Sequence, residues 1–181
     1  ERSSTDDWEA ATRKSGQYRW FPNITSGLPS TTSGFQWDSS TGMGEGISGT
    51  NSIWGWKRGR GFDVQFNRSE GAGTYPHNLG QVPEMIWTGS LQRNDWHGVG
   101  HHKLRTADPW NYIAYMNNDS AGNSGSGYWN NTAPTGTQFT LGSNTAMSGG
   151  NNSIMVMLWC SVPGICKIDD YNGDGGTSNA I

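Results

Sequence analysis

The residues of this chain whose types could do chemistry are His77, His97, His101 and His102, the cysteines Cys160 and Cys166, and the acidic stretch from Asp169 to Asp174. In "DWHGVGHH" a strand places His97 and His101 on one face and His102 on the other, because side chains alternate. Two imidazoles on one face could hold a transition metal only with a third ligand from elsewhere. The glycines between them favour a plainer reading, polar positions on an exposed rim strand. Asp170, Asn172 and Asp174, followed by Gly175, match the first half of a calcium loop, where oxygen ligands alternate before a sharp glycine turn. The twelfth position is Ile181, which has no carboxylate to offer, so a tight hairpin turn is expected there and no metal. Cys160 and Cys166 have no neighbouring histidines for a zinc site. They could form a disulfide, but the favoured reading is one buried and one surface thiol. The GxSxG, HExxH and P-loop signatures are absent. Glu45, Glu70 and Glu84 stand far apart in sequence, and only pairing in space would make two of them a glycosidase dyad. An enzyme is therefore not expected, and neither is a cofactor.

The aromatic residues carry the stronger signal. Ten Trp, six Tyr and five Phe occur in 181 residues. Each buried aromatic removes roughly 150–250 Å² from water, so a core forms despite the low aliphatic content. Trp54, Trp56, Trp87, Trp96, Trp110, Trp129 and Trp159 are nonetheless too many for the interior of one small domain. Trp110 follows "TADP" and Trp129 stands in "GYWNNTAP", both polar loop-like contexts. Flat rings on an Asn/Ser/Gly surface are platforms for sugar rings, and they equally suit protein contacts. The candidate ligand-binding residues are Trp96, Trp110, Tyr128 and Trp129. Trp159 is expected to pack the core and Trp129 to face a partner.

The elements that must position these residues are short strands. The 27 glycines and abundant Asn, Ser and Thr suit turns and oppose long helices. A formal net charge of −3 argues against a nucleic-acid partner. "IMVMLW" is far too short to span a bilayer. The chain starts at Glu1 without a signal-peptide pattern and reads as a piece of a longer protein. "TDDWEAATRKSG" is the one stretch with helix signals. Period-2 alternation or strand composition marks "WGWKRGRGFDVQF", residues 84–88, "DWHGVGHH", "NYIAYMN", "TQFTL", "SIMVMLWCSV" and "CKIDDY". "PHNLG" is a turn, with Asn78 or Gly80 in the left-handed conformation. The pattern predicts an all-β, antiparallel, jelly-roll-like β-sandwich with a short helix near the N-terminus. "SIMVMLW" should be a central strand buried on both faces, "TQFTL" its neighbour, and "GSNTAMSGGNN" an exposed turn between them. Three segments are expected: an irregular 1–50 or the end of a preceding module, a sandwich over 51–165, and a following repeat or C-terminal strand over 166–181. The echo between "GFDVQFNRSEGAG" and "ICKIDDYNGDGG" suggests that repeat.

In order, "WKRGRGFDVQF", "HNLGQVPEMIW", "DWHGVGHH", "YWNNTAPTGTQFTLG" and "LWCSVPGICKIDDYNGDG" resemble a recurrent β-domain of bacteriophage tail-fibre and appendage proteins, including those of cyanophages. The resemblance covers about residues 54–176. It departs from the family pattern at the glycine-rich "HGVGHH" and at "FNRSEGAG". What it implies is a structural role in an extracellular virion appendage, with attachment to host-surface saccharide. It implies no catalytic residues, and its closing turn further lowers the calcium expectation. The expected partners are further copies of the chain, as a homotrimer, and other virion proteins; neither nucleic acid nor membrane is expected. The alternative is an architectural subunit, decorating a capsid or tail or forming an extracellular filament.

Overall fold

The computed structural model describes residues 8–16, 18–24, 37, 54–67, 71–91, 94–105, 107–148 and 153–171. Among these described residues the strands are β1 (Ala10–Ala11), β2 (Arg19–Trp20), β3 (Phe62–Asn67), β4 (Gly73–Pro76), β5 (Met85–Ser90), β6 (Gly98–His101), β7 (Tyr112–Tyr115), β8 (Asn123–Ser124), β9 (Gln138–Leu141) and β10 (Ile154–Trp159). Two single-turn helices, α1 (Ser126–Trp129) and α2 (Thr145–Ser148), interrupt them. The large antiparallel sheet runs β3-β10-β5-β6-β7-β8, and the small sheets are β4-β9 and β1-β2.

The continuous apolar run of β10 explains its central place. Ile154, Val156 and Leu158 point to one face and Met155, Met157 and Trp159 to the other, and all six are buried. Such a strand has no polar face to give to water, so it needs a cover on each side. On the first face, Ile86 and Ile113 join the β10 residues beneath Tyr75 of β4 and Phe139 and Leu141 of β9. This is an antiparallel β-sandwich of unequal layers, as the strand pattern predicted. On the second face Phe62, Val64, Trp87, Met155, Met157 and Trp159 pack together with Trp20 of the N-terminal ribbon. Gly89 makes room for that indole: a Cβ there would lie 2.6 Å from Trp20 Nε1 and 2.7 Å from His97 Cδ2. Residues before position 51 thus complete a core of the sandwich.

Several elements differ from the pattern-based expectation. "TQFTL" is a strand, but it pairs with β4, Phe139 opposite Tyr75, in the facing layer. The place beside β10 is taken instead by β3 and by β5, with Trp87 opposite Met157. Within "GSNTAMSGGNN" lies α2, whose Ala146 and Met147 are buried, because the open side of the first core needs an apolar plug. The N-terminal helix is reduced to one 3₁₀ turn, Arg13–Ser15. There the Ser15 hydroxyl donates to the Thr12 and Tyr18 carbonyls, at 2.8 Å each, and such local bonds compete with helix propagation. Trp54 and Trp56 belong to no strand, and "CKIDDY" forms no strand among its described residues, only a Val162–Cys166 bridge. "PHNLG" is the expected turn, with Gly80 at φ 73°.

Candidate functional site

The "DWH" corner ahead of β6 is held by its own polar groups. Asp95 Oδ1 accepts from the Trp96 N–H at 2.9 Å, and Oδ2 accepts from Thr145 Oγ1 at 3.2 Å. The Asn117 amide donates to the carbonyls of Asp95 and Ile24, both at 3.0 Å, and its oxygen accepts from the His97 N–H at 2.8 Å. This clip fixes Trp96, which stays 40% exposed while its ring lies 4.9 Å from that of Tyr115 at 60°. The Tyr115 hydroxyl sits 3.1 Å from that of Tyr128, brought up by α1, and also bonds the Asn123 side chain. Burial, with help from the Tyr128 hydroxyl, pushes the Tyr115 phenol up to about 12. The Tyr115 phenol therefore remains protonated and can donate as well as accept. A half-open indole seated on Tyr115, with the Tyr115 hydroxyl and the Asp95 carboxylate in the same patch, can stack on, and hydrogen-bond to, a ring that carries hydroxyls.

Of the four aromatic candidates, the structure leaves only Trp96 open; Tyr128 is buried, contrary to expectation, and reaches the Trp96 face only through its hydroxyl contact with Tyr115, and the other two are withdrawn further. Trp129 is 1% exposed and Trp110 6%. Their rings meet edge to face at 5.6 Å and 88°, and Trp129 Nε1 donates to the Tyr112 carbonyl at 2.9 Å. Both stand over Gly100, where a Cβ would lie 2.6 Å from Trp129 Cζ2 and 2.8 Å from Trp110 Cζ3. Trp129 is thus a core residue, contrary to the expectation that it faces a partner. The misplacement follows from α1: Asn130 and Asn131 take left-handed angles, φ 52° and 49°, and stop one helical turn. That turn carries Tyr128 and Trp129 inward. Tyr115 was not singled out by its sequence context, although it shares a strand face with Ile113 and so marks the rim of a core-facing row.

The histidines do other work. His97 is buried, not on a rim; its ring packs edge-on against Trp20 at 5.1 Å, and its Nδ1 is 3.3 Å from the Pro22 carbonyl. Burial holds its pKa below the usual imidazole range, against the opposing pull of the Pro22 carbonyl and Asp95. His77 is also buried, with Nε2 3.0 Å from the Thr135 carbonyl and Nδ1 accepting from the Leu79 N–H at 3.2 Å, which ties the turn to the loop before β9. The rings of His101 and His102 lie 4.9 Å apart, and His102 Nε2 is 3.3 Å from the Ile168 carbonyl. Lys103 pairs with Asp169 and with Asp170, and Lys167 pairs with Asp169. Glu84 clamps the same segment: its Oε2 accepts from the Ser161 N–H at 2.6 Å and from Oγ at 2.5 Å.

Of the calcium candidates, Asp170 is in this ion-pair cluster, and Asn172 and Asp174 lie outside the described residues. Among the described residues no three His, Cys, Asp or Glu side chains are grouped to hold a metal. Cys160 is buried, Cys166 is exposed, and both are free thiols, as read from the sequence. Among the described residues, no helix is long and apolar enough to cross a membrane.

Fold and site together define a class: an antiparallel β-sandwich with a rigidly held surface patch of aromatic rings and hydroxyls. The chain belongs to a family described as a domain of unknown function (DUF7483), which matches residues 37–181. No curated protein and no solved structure matches it.

Proposed function

We propose that this chain is a non-enzymatic β-sandwich module of a phage tail fibre or similar extracellular virion appendage, attaching to host-surface saccharide through the Trp96 face. The resemblance of five motifs in order supports the virion part, and the sandwich fold is compatible with it. The observation that carries the attachment part is the seating of Trp96 on Tyr115, with the Tyr115–Tyr128 hydroxyl pair and Asp95 beside it. In this reading the module works as a homo-oligomer, a trimer in a fibre, where cyclic symmetry multiplies weak contacts. The test is a glycan array and a cell-binding assay on the wild-type chain and Trp96→Ala. Binding that the substitution abolishes is expected, with unfolding unchanged. A blank array together with blank cells removes the attachment role.

The second reading is an architectural subunit. It is favoured by Trp8, Ile165 and Tyr171, large apolar side chains that stand exposed and would be covered between copies. Particle imaging separates the two: a lattice-bound or helically repeated copy means architecture, and a few copies at a fibre mean adhesion.

A further inference from the structure

We infer that the turn from Trp54 to Arg60 is a second binding surface, built for an acidic polysaccharide. It shares no residue with the Trp96 face and does not depend on that reading. Trp54 is 77% exposed and Trp56 53%. Trp56 is not a loose side chain. Its ring stands 6.0 Å from Phe62 at 36° and 6.5 Å from Trp159 at 82°, and Trp159 in turn lies 4.7 Å from Trp87. Buried rings therefore fix the indole from one side and leave it open on the other. The backbone is fixed as well: Gly59 N–H donates to the Phe62 carbonyl at 2.9 Å, and Phe62 N–H returns to Gly59 at 3.3 Å.

Three cations are interleaved with these rings, and they are not equivalent. Arg58 Nε is committed to Asp63 at 2.6 Å. Lys57 and Arg60 are exposed and form no ion pair among the described residues. Two uncompensated positive charges beside two open indoles form a local patch of the opposite sign to a chain of net charge −3. The complementary ligand has a flat apolar face for Trp56 and carboxylate or sulfate groups for the ammonium and guanidinium heads, and a guanidinium can bind such oxyanions in a bidentate fork. A uronate or sulfated sugar chain has both. Nucleic acid would need a long basic track to match its phosphate repeat, whereas these cations are confined to one turn. An acyl chain would make no use of an indole held in one orientation.

The test is affinity electrophoresis of the full chain through gels containing alginate, heparin or neutral dextran, at low and high salt. Alginate or heparin should retard the wild type and dextran should not. The retardation should fade as salt rises from about 0.01 M to about 1 M, where the Debye length falls from roughly 30 Å to 3 Å. Lys57→Gln/Arg60→Gln, a change confined to exposed groups, should weaken binding by about tenfold, the scale of losing a few charged contacts. Trp56→Ala should do the same, the scale of losing one stacking platform. Trp56→Phe, which keeps the contact with Phe62 and Trp159, should recover part of that loss if Trp56→Ala disturbs folding. Trp96→Ala should leave this binding unchanged, which separates the two surfaces. Failure of both acidic polymers to retard the wild type overturns the inference, and so does retardation that neither substitution alters. Equal or tighter binding to a single-stranded oligonucleotide or to anionic phospholipid vesicles also overturns it.

Discussion

Trp129→Ala should cost this protein a large share of its stability. The indole is fully enclosed, meets Trp110 edge to face and donates to the Tyr112 carbonyl. Truncating a buried Trp to Ala costs about 3–5 kcal/mol from lost burial and the cavity left behind. The lost hydrogen bond adds roughly 1 kcal/mol, because the Tyr112 carbonyl is left without that donor. The sum, about 4–6 kcal/mol, is comparable with the whole stability of a typical domain, roughly 5–15 kcal/mol. At roughly 2–4 °C per kcal/mol for a chain of this size, the melting temperature should fall by about 10–20 °C. Urea unfolding followed by far-ultraviolet circular dichroism measures the first figure and a thermal melt the second. Trp129→Phe, which keeps most of the ring but not the N–H, should lie between wild type and Ala. The reasoning fails if Trp129→Ala shifts stability by no more than about 0.5 kcal/mol, the range of an ordinary surface substitution.

Gly100→Ala should destabilise by about 1–3 kcal/mol, because its methyl would press on two rigid indoles, while Gly136→Ala, with nothing within 4 Å of its Cβ, should be nearly neutral. Comparing the two urea midpoints checks this. Burial alone would raise the Asp63 carboxyl, but bonds from Arg58, Asn78 and Gln65 outweigh it and hold the carboxyl below the usual range. A depressed folded pKa gives stability that is present above the unfolded value near 3.9 and lost as pH falls through the folded one. Asp63→Asn should therefore flatten the acid limb of a stability-against-pH curve, and an unchanged limb would refute this. His97 is likewise depressed, so its contribution is intact above the unfolded value near 6.5 and declines as pH falls below it. Hydrogen-exchange protection at residues 18–24, which pack on His97 through Trp20 and Pro22, taken relative to the intrinsic rate at each pH, should fall between about pH 7.5 and pH 5; identical protection at both would sink the idea.

Much of the fold is legible in local pattern. The unbroken alternation of Ile154, Val156 and Leu158 with Met155, Met157 and Trp159 allows nothing but a doubly covered strand, and the structure centres it between β3 and β5. Phe62, Val64 and Phe66 share a face because strand period is a local property of the chain. Free Cys160 and Cys166, one buried and one exposed, were legible in the same way. Strand partners were not. "TQFTL" has the same alternation whether it pairs with β10 or with β4, and only the need to roof the first core sends Phe139 opposite Tyr75.

The site shows the same division. Ring content and the polar company of Trp96 were readable, as were Tyr128 and its neighbours as aromatic candidates. Which of those rings reaches solvent depends on what lies across from each one, and that is a non-local quantity. Trp129 looks exposed among Ser, Gly and Asn, yet Gly100, some thirty residues earlier, leaves a hollow that takes its indole. Trp56 looks like part of a half-buried strand, yet it sits outside every sheet with one side open and the other against Trp159. A chain with more tryptophans than its interior can hold must leave some outside; the sequence by itself determined that surplus, and tertiary packing, by the shape of each cavity, decided which rings they are.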